Sequence, residues 1–140
     1  YAEDNTSYSN TSTSSFVTAT NHTVSITPQS ASNIIYIDWR PNVRLNSGSS
    51  DSGFQYEFTR TIGSTTTNLA TNGSTDIYWY DSSGGQRLQR PTPILFRDNA
   101  HNTTSQITYG FKFKNPHSSL TVEVSSNSQY SNFIVWEVQP

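Results

Sequence analysis

The chain reads as all-β, an antiparallel β-sandwich of jelly-roll type, on three observations. Ser, Thr and Asn supply about 55 of the 140 residues while aromatics remain at 13%, and a chain this polar yet rich in aromatic and β-branched residues suits pleated, half-buried strands with polar loops, not disorder. Several segments alternate apolar and polar residues with period two. No ten-residue stretch carries a helical period. Eight to ten short strands punctuated by Ser, Gly, Asn and Asp then fit two packed sheets.

Taken in order, Tyr1 to Ser15 is low in apolar content and reads as a lead-in or linker, leaving residues 16–140 as one β-sandwich domain. "SFVTAT" and "TVSITP" flank Asn21 and His22 as a predicted hairpin, and "NIIYIDW" follows the turn-like "PQSAS". "GFQYEFTRTI" sets Phe54, Tyr56 and Phe58 on one face; "QITYGFKFK" does the same with Ile107, Tyr109, Phe111 and Phe113, and "LTVEV" with Leu120, Val122 and Val124.

Two strands are apolar on both faces. In "NIIYIDW", Ile35, Ile37 and Trp39 are assigned to the core, which sends Ile34 and Tyr36 outward; in "NFIVWEV", Ile134, Trp136 and Val138 are assigned inward, which sends Phe133 and Val135 outward. Strands of this kind have both faces covered. A loop or the N-terminal arm is one cover; a subunit interface through Ile34, Tyr36, Phe133 and Val135 is the other.

The bulk properties exclude several function classes. A formal charge of -2 with 8 Lys and Arg provides no basic stripe for phosphates, so neither nucleic acid nor an anionic membrane surface is an expected partner. No apolar run approaches the ~20 residues that span a bilayer, so membrane insertion is not expected, and "YAEDNTSYSN" has neither part of a signal peptide. A start at Tyr1 without an initiator reads as an excised domain or a mature product. Without cysteine there is no disulfide framework and no thiolate metal site. The five N-x-S/T triplets, at Asn5, Asn10, Asn21, Asn72 and Asn102, match the ~4 that such a composition produces by chance.

Arg97, Asp98 and His101 lie within five positions, between "PILF" and "NTTSQITYGF". Asp and Asn at a strand end shape turns by bonding their own backbone, and a metal site would need further His or carboxylate ligands. The group therefore reads as a loop rim. No acidic pair has a spacing that singles it out for glycoside hydrolysis, "DSGFQ" and "DSSGGQ" are not nucleophile elbows, and "GSTTTN" lacks a phosphate-cradling lysine. No catalytic residue, metal or cofactor is expected.

Binding is the better prospect. In "DIYWYDSSGGQRLQR" Tyr78 and Tyr80 share one face, Trp79 takes the other, and a Ser-Gly-Gly turn leads to Gln86, Arg87 and Arg90. Such rings stack on sugars while neighbouring polar groups read hydroxyls; they equally build a core or an interface. Receptor-contact candidates are Tyr78, Trp79, Tyr80 and Arg87, with Asp51 from the loop 46–52 and His101 from the loop 99–103; the loop 81–86 is a third contact span.

"SITPQSASNIIYI" (Ser25 to Ile37), "TTSQITYGFKFK" (Thr103 to Lys114) after a strand ending "RDN", and the closing "FIVWEV" (Phe133 to Val138) together resemble the C-terminal domains of bacteriophage tail fibres, particularly of marine and cyanobacterial phages. The resemblance spans Thr11 to Val138. It implies a distal fibre domain of the virion that forms a homotrimer and attaches non-covalently to a host cell-surface glycan or outer-membrane protein, with three copies adding ~10² or more in avidity. A secreted lectin-like carbohydrate-binding module and a virion assembly domain without receptor binding are the alternatives.

Overall fold

A computed structural model describes residues 1–46, 48, 51–71, 77–80 and 85–140. The chain is all-β and sandwich-like, with every pairing antiparallel. One sheet orders β1 (Ala2–Asp4), β14 (Ser131–Val138), β5 (Ile34–Arg40) and β11 (Ile94–Asp98). A second orders β10 (Arg87–Pro91), β6 (Asn42–Asn46), β13 (Val122–Val124) and β2 (Tyr8–Asn10). The third centres on β12 (Ile107–Lys114) and β7 (Ser52–Ile62), flanked by β3 (Val17–Thr18), β4 (Val24–Ile26), β8 (Thr65–Thr71) and β9 (Ile77–Trp79). Among the described residues no helix is long and apolar enough to cross a membrane.

The core forms where the inward sets of these sheets meet. Ile35, Ile37 and Trp39 of β5 are fully buried, as are Phe58 of β7 and the alternate residues Ile107, Tyr109, Phe111 and Phe113 of β12. Trp39 lies at its centre, with ring centroids 5.8 Å from Phe58 and 5.6 Å from Phe133. The chain passes from β5 to β6 with only Pro41 between them, so one run of sequence serves two sheets, as at a sandwich corner. Val43 and Leu45 of β6 and Val122 and Val124 of β13 close that side of the core. Gly63, at φ 60, opens the two-residue turn between Ile62 and Thr65, a place where a side chain would be strained.

Three expectations change. First, residues 1–15 are not a bare lead-in: Ala2–Asp4 pairs with β14 and Tyr8–Asn10 with β13. Backbone pairing needs no apolar run, and Asn10 adds side-chain hydrogen bonds to the carbonyls of Ser15 and Phe113, both at 2.9 Å. Second, the hairpin expected around Asn21 and His22 does not form. β3 and β4 both pair with β12, Thr18 opposite Lys112 and Val24 opposite Tyr109, so they form one edge strand interrupted by residues 19–23.

Third, β14 is inverted relative to expectation. Phe133 is 2% exposed, whereas Trp136 is 38% exposed and Ile134 and Val138 also face outward. Residues opposite one another in an antiparallel pair point to the same side. Phe133 lies opposite Trp39 and Val135 opposite Ile37, so the buried set of β5 draws Phe133 and Val135 inward. Neither belongs to the outer face that was to form an interface; Ile34 and Tyr36 do lie on it, half-buried.

Candidate functional site

The cluster of Arg97, Asp98 and His101 separates into two structural pins and one surface charge. Asp98, at the end of β11, accepts hydrogen bonds from the Arg60 guanidinium at 2.9 Å, the Tyr109 hydroxyl at 2.8 Å and the backbone N–H of Ala100 at 3.0 Å. Arg60 and Tyr109 belong to β7 and β12, so a single buried carboxylate ties two sheets together. Burial and the Asp98 carboxylate hold the Tyr109 phenol far above its ordinary pKa. Arg97 is exposed, opposite Tyr36.

His101 is buried, not at a solvated rim. Its Nε2 meets the Asn33 carbonyl at 2.8 Å, and its Nδ1 lies 3.1 Å from the Thr103 carbonyl oxygen and 3.4 Å from the Thr103 backbone nitrogen. The ring holds the loop before β12 against the loop before β5, and it offers no surface to a receptor.

His22 is the second buried histidine, though its sequence neighbours are polar. The segment between β3 and β4 turns its ring inward, 5.2 Å from Tyr8 and 5.4 Å from Phe111 between centroids. Nε2 lies 2.9 Å from Asp4 Oδ2 and 3.2 Å from Ser125 Oγ, and Ser125 lies 2.7 Å from Ser131 Oγ. Ser, His and Asp thus meet, but both partners use the same ring nitrogen. A catalytic triad requires the base to face its nucleophile with one nitrogen and its carboxylate with the other. Desolvation lowers the His22 pKa, opposed by Asp4; the cluster secures β1 to the core. Among the described residues no group of three His, Asp or Glu converges as a metal site requires.

The aromatic candidates divide by alternation on β9. Ile77 is buried, Trp79 is half-buried against the core, and Tyr78 and Tyr80 are each 55% exposed. Tyr78 pairs opposite Gly53, and a hydrogen bond to the Asp51 carboxylate raises its phenol pKa. His117 packs edge-on against Tyr78 at 5.4 Å. Tyr78, Tyr80, Asp51 and His117 therefore form one exposed rim. Trp79 is turned to the core side, and Arg87 lies exposed on β10, opposite Asn46 of β6, in a different sheet. Of the expected contact loops, residues 47, 49, 50 and 81–84 lie outside the described residues.

Two further surfaces are features of whole sheet faces. On the outer face of the β5 sheet, Tyr36 and Trp136 stack with centroids 5.5 Å apart and planes 13° from parallel. Ile134 and Val138 flank them from β14, and Leu95, 65% exposed, from β11. On the outer face of the β12 sheet, a pocket of about 300 Å³ opens between β8 and residues 18–23. Sequence reading missed the pocket because its walls are ordinary outward threonines; only the register that sets Thr61 beside Thr108 and Thr59 beside Gly110 gathers them.

No protein-family model matches the chain, and no curated protein matches it significantly.

Proposed function

We propose that this chain is the distal domain of a phage tail fibre, a jelly-roll sandwich that assembles as a homotrimer and attaches the virion non-covalently to a host cell-surface glycan or outer-membrane protein. The observation that carries this reading is the open apolar face of the β5 sheet, where Ile34, Tyr36, Leu95, Ile134, Trp136 and Val138 are partly or largely exposed. In a chain this polar, six apolar side chains gathered on one sheet face, with Asp38, Arg40 and Arg97 set among them, mark a contact surface, and a fibre subunit requires such a surface to meet its copies. The resemblance of the β4–β5, β12 and β14 segments to tail-fibre domains supports the same assignment.

Attachment falls to the rim of Tyr78, Tyr80 and Asp51. Exposed tyrosines bring large contact area at low entropic cost, with a hydroxyl to fix orientation. A trimer would present three such rims, so weak single contacts suffice when all engage together.

Light scattering across a dilution series, paired with adsorption of the fluorescently labelled protein to a panel of bacterial cells, tests the reading. A trimer that adsorbs to particular strains, with adsorption reduced at least tenfold by the double replacement of Tyr78 and Tyr80 by alanine, is the expected result. A monomer that retains sugar binding would favour the lectin-like module. A trimer that adsorbs to no cell would favour an assembly domain.

A further inference from the structure

We propose that the threonine-walled pocket on the outer face of the β12 sheet binds a single neutral sugar ring. It lies on a different sheet face from the apolar surface and is distinct from the tyrosine rim. The inference holds whether or not the chain is part of a fibre.

The pocket arises from three features of the sequence. Strand β12 carries Thr108, Gly110 and Lys112 on its outward alternation, opposite Thr61, Thr59 and Glu57 of β7. Gly110 supplies the floor: a Cβ there would stand 3.3 Å from both Thr59 Oγ1 and Thr23 Cγ2. The interruption between β3 and β4 raises residues 19–23 into a wall along one side. Thr66 of β8 lines the pocket on the β7 side.

The lining chemistry selects the ligand class. Each threonine presents a methyl beside a hydroxyl that both donates and accepts, which complements a sugar ring whose C–H patches alternate with hydroxyls of the same dual character. Thr61 and Thr66 bond each other at 2.8 Å, and Thr108 bonds Ser25 at 2.9 Å. Each pair uses one hydroxyl proton and keeps another to donate. Thr59 is only 7% exposed, and its hydroxyl stands over Gly110 in the pocket lining.

Charge argues against an anionic ligand. Lys112, the one cation in the lining, donates to Asn68 Oδ1 at 2.9 Å and lies 3.7 Å from Glu57, so its charge is already answered. The volume of about 300 Å³ falls at the small end of ligand pockets. β-branched walls on paired strands are stiff at χ1, so little side-chain entropy is lost on binding.

The test is a heteronuclear NMR titration of the uniformly labelled chain with methyl glycosides of glucose, galactose, mannose and N-acetylglucosamine, with N-acetylneuraminic acid and inorganic phosphate as anionic probes. At least one neutral glycoside is expected to shift the amides of Thr59, Thr61, Thr108 and Gly110 saturably in the millimolar range. The isosteric changes Thr61→Val and Thr108→Val should each weaken that response several-fold with the rest of the spectrum unchanged, and Gly110→Val should abolish it. Should Gly110→Val fail to fold, Gly110→Ala combined with Thr61→Val gives the same reading. Absence of a saturable shift at these amides with every glycoside overturns the proposal. A stronger response to either anion, or an affinity unchanged in the threonine variants, overturns it too.

Discussion

The outer faces of the β5 sheet and the β12 sheet are alternatives built on one plan. Each backs a strand whose inward residues are fully buried, Ile35, Ile37 and Trp39 in one case and Ile107, Tyr109, Phe111 and Phe113 in the other. Their outward sets differ: Ile34, Tyr36, Ile134 and Trp136 on the first, Thr59, Thr61, Thr108 and Gly110 on the second. The apolar set stays partly in water, which fits a partner that removes it from water. The threonine set is already compatible with water and gains only from a ligand that matches its hydroxyls. One core can therefore back an apolar outer face on one side and a hydroxyl-lined one on the other, because the period of two makes the two faces of a strand independent.

The sharpest way to break this comparison is to exchange the roles of neighbouring residues on β14. Phe133→Ala should cost about 3–5 kcal/mol of unfolding free energy, the range for truncating a buried Phe. Trp136→Ala, measured in dilute monomer, should cost well under half as much, because that ring is partly in solvent. Urea denaturation of both variants decides it. A larger loss from Trp136 would reverse the inward and outward sets and remove the apolar face.

That strand also shows what could be read from sequence. On β5 the polar Asp38 falls in the outward set and marks the inward one correctly. On β14 Glu137 falls in the same alternation as Phe133 and Val135, and a charge in that set points to the outward side, where the structure does not put it. The structure accommodates it because Glu137 stands near the strand end. Its carboxylate reaches the backbone N–H of Gln29 at 2.8 Å and the Asn33 side chain at 2.7 Å. A charge satisfied at a strand end is no guide to the strand's buried side. Likewise the alternation of β7 and β12 was legible, but the pocket depended on their pairing, and the burial of His22 and His101 depended on contacts distant in sequence: Asp4 and Ser125 for one, Asn33 for the other.

Next in size is the tie between the two sheets. Asp98→Ala leaves the half-buried Arg60 without its carboxylate and the buried Tyr109 without an acceptor, and removing one partner of a largely buried pair costs about 3 kcal/mol. Asp98→Asn should lose less, since an amide oxygen still accepts from Tyr109. Equal losses for the two variants in thermal or urea unfolding would show that the charge, not the hydrogen bonding, holds the sheets together. A smaller effect is expected on the apolar face: if the proposed trimer forms through it, Trp136→Lys should reduce the solution mass to that of the monomer without lowering its unfolding midpoint appreciably. A multimer that persists in that variant would place the subunit contact elsewhere.

The smallest effect is the most discriminating for the way β1 is held beside the apolar face. The His22 pKa is lowered by desolvation from its ordinary 6.5, so between 6.5 and the folded value the unfolded chain binds the extra proton. Stability must then fall as pH drops below about 6.5. Glu137 is lowered from 4.5, chiefly by the Gln29 N–H; its contribution is complete above 4.5 and is lost as pH falls through its lower folded value. The wild type should therefore weaken in two stages on acidification, the first setting in below about 6.5 and the second below 4.5. His22→Asn should remove only the first stage, and Glu137→Gln only the second, in midpoints measured at closely spaced pH. An unchanged first stage in His22→Asn would mean that some other group senses pH there, and that β1 is held by its backbone pairing with β14 alone.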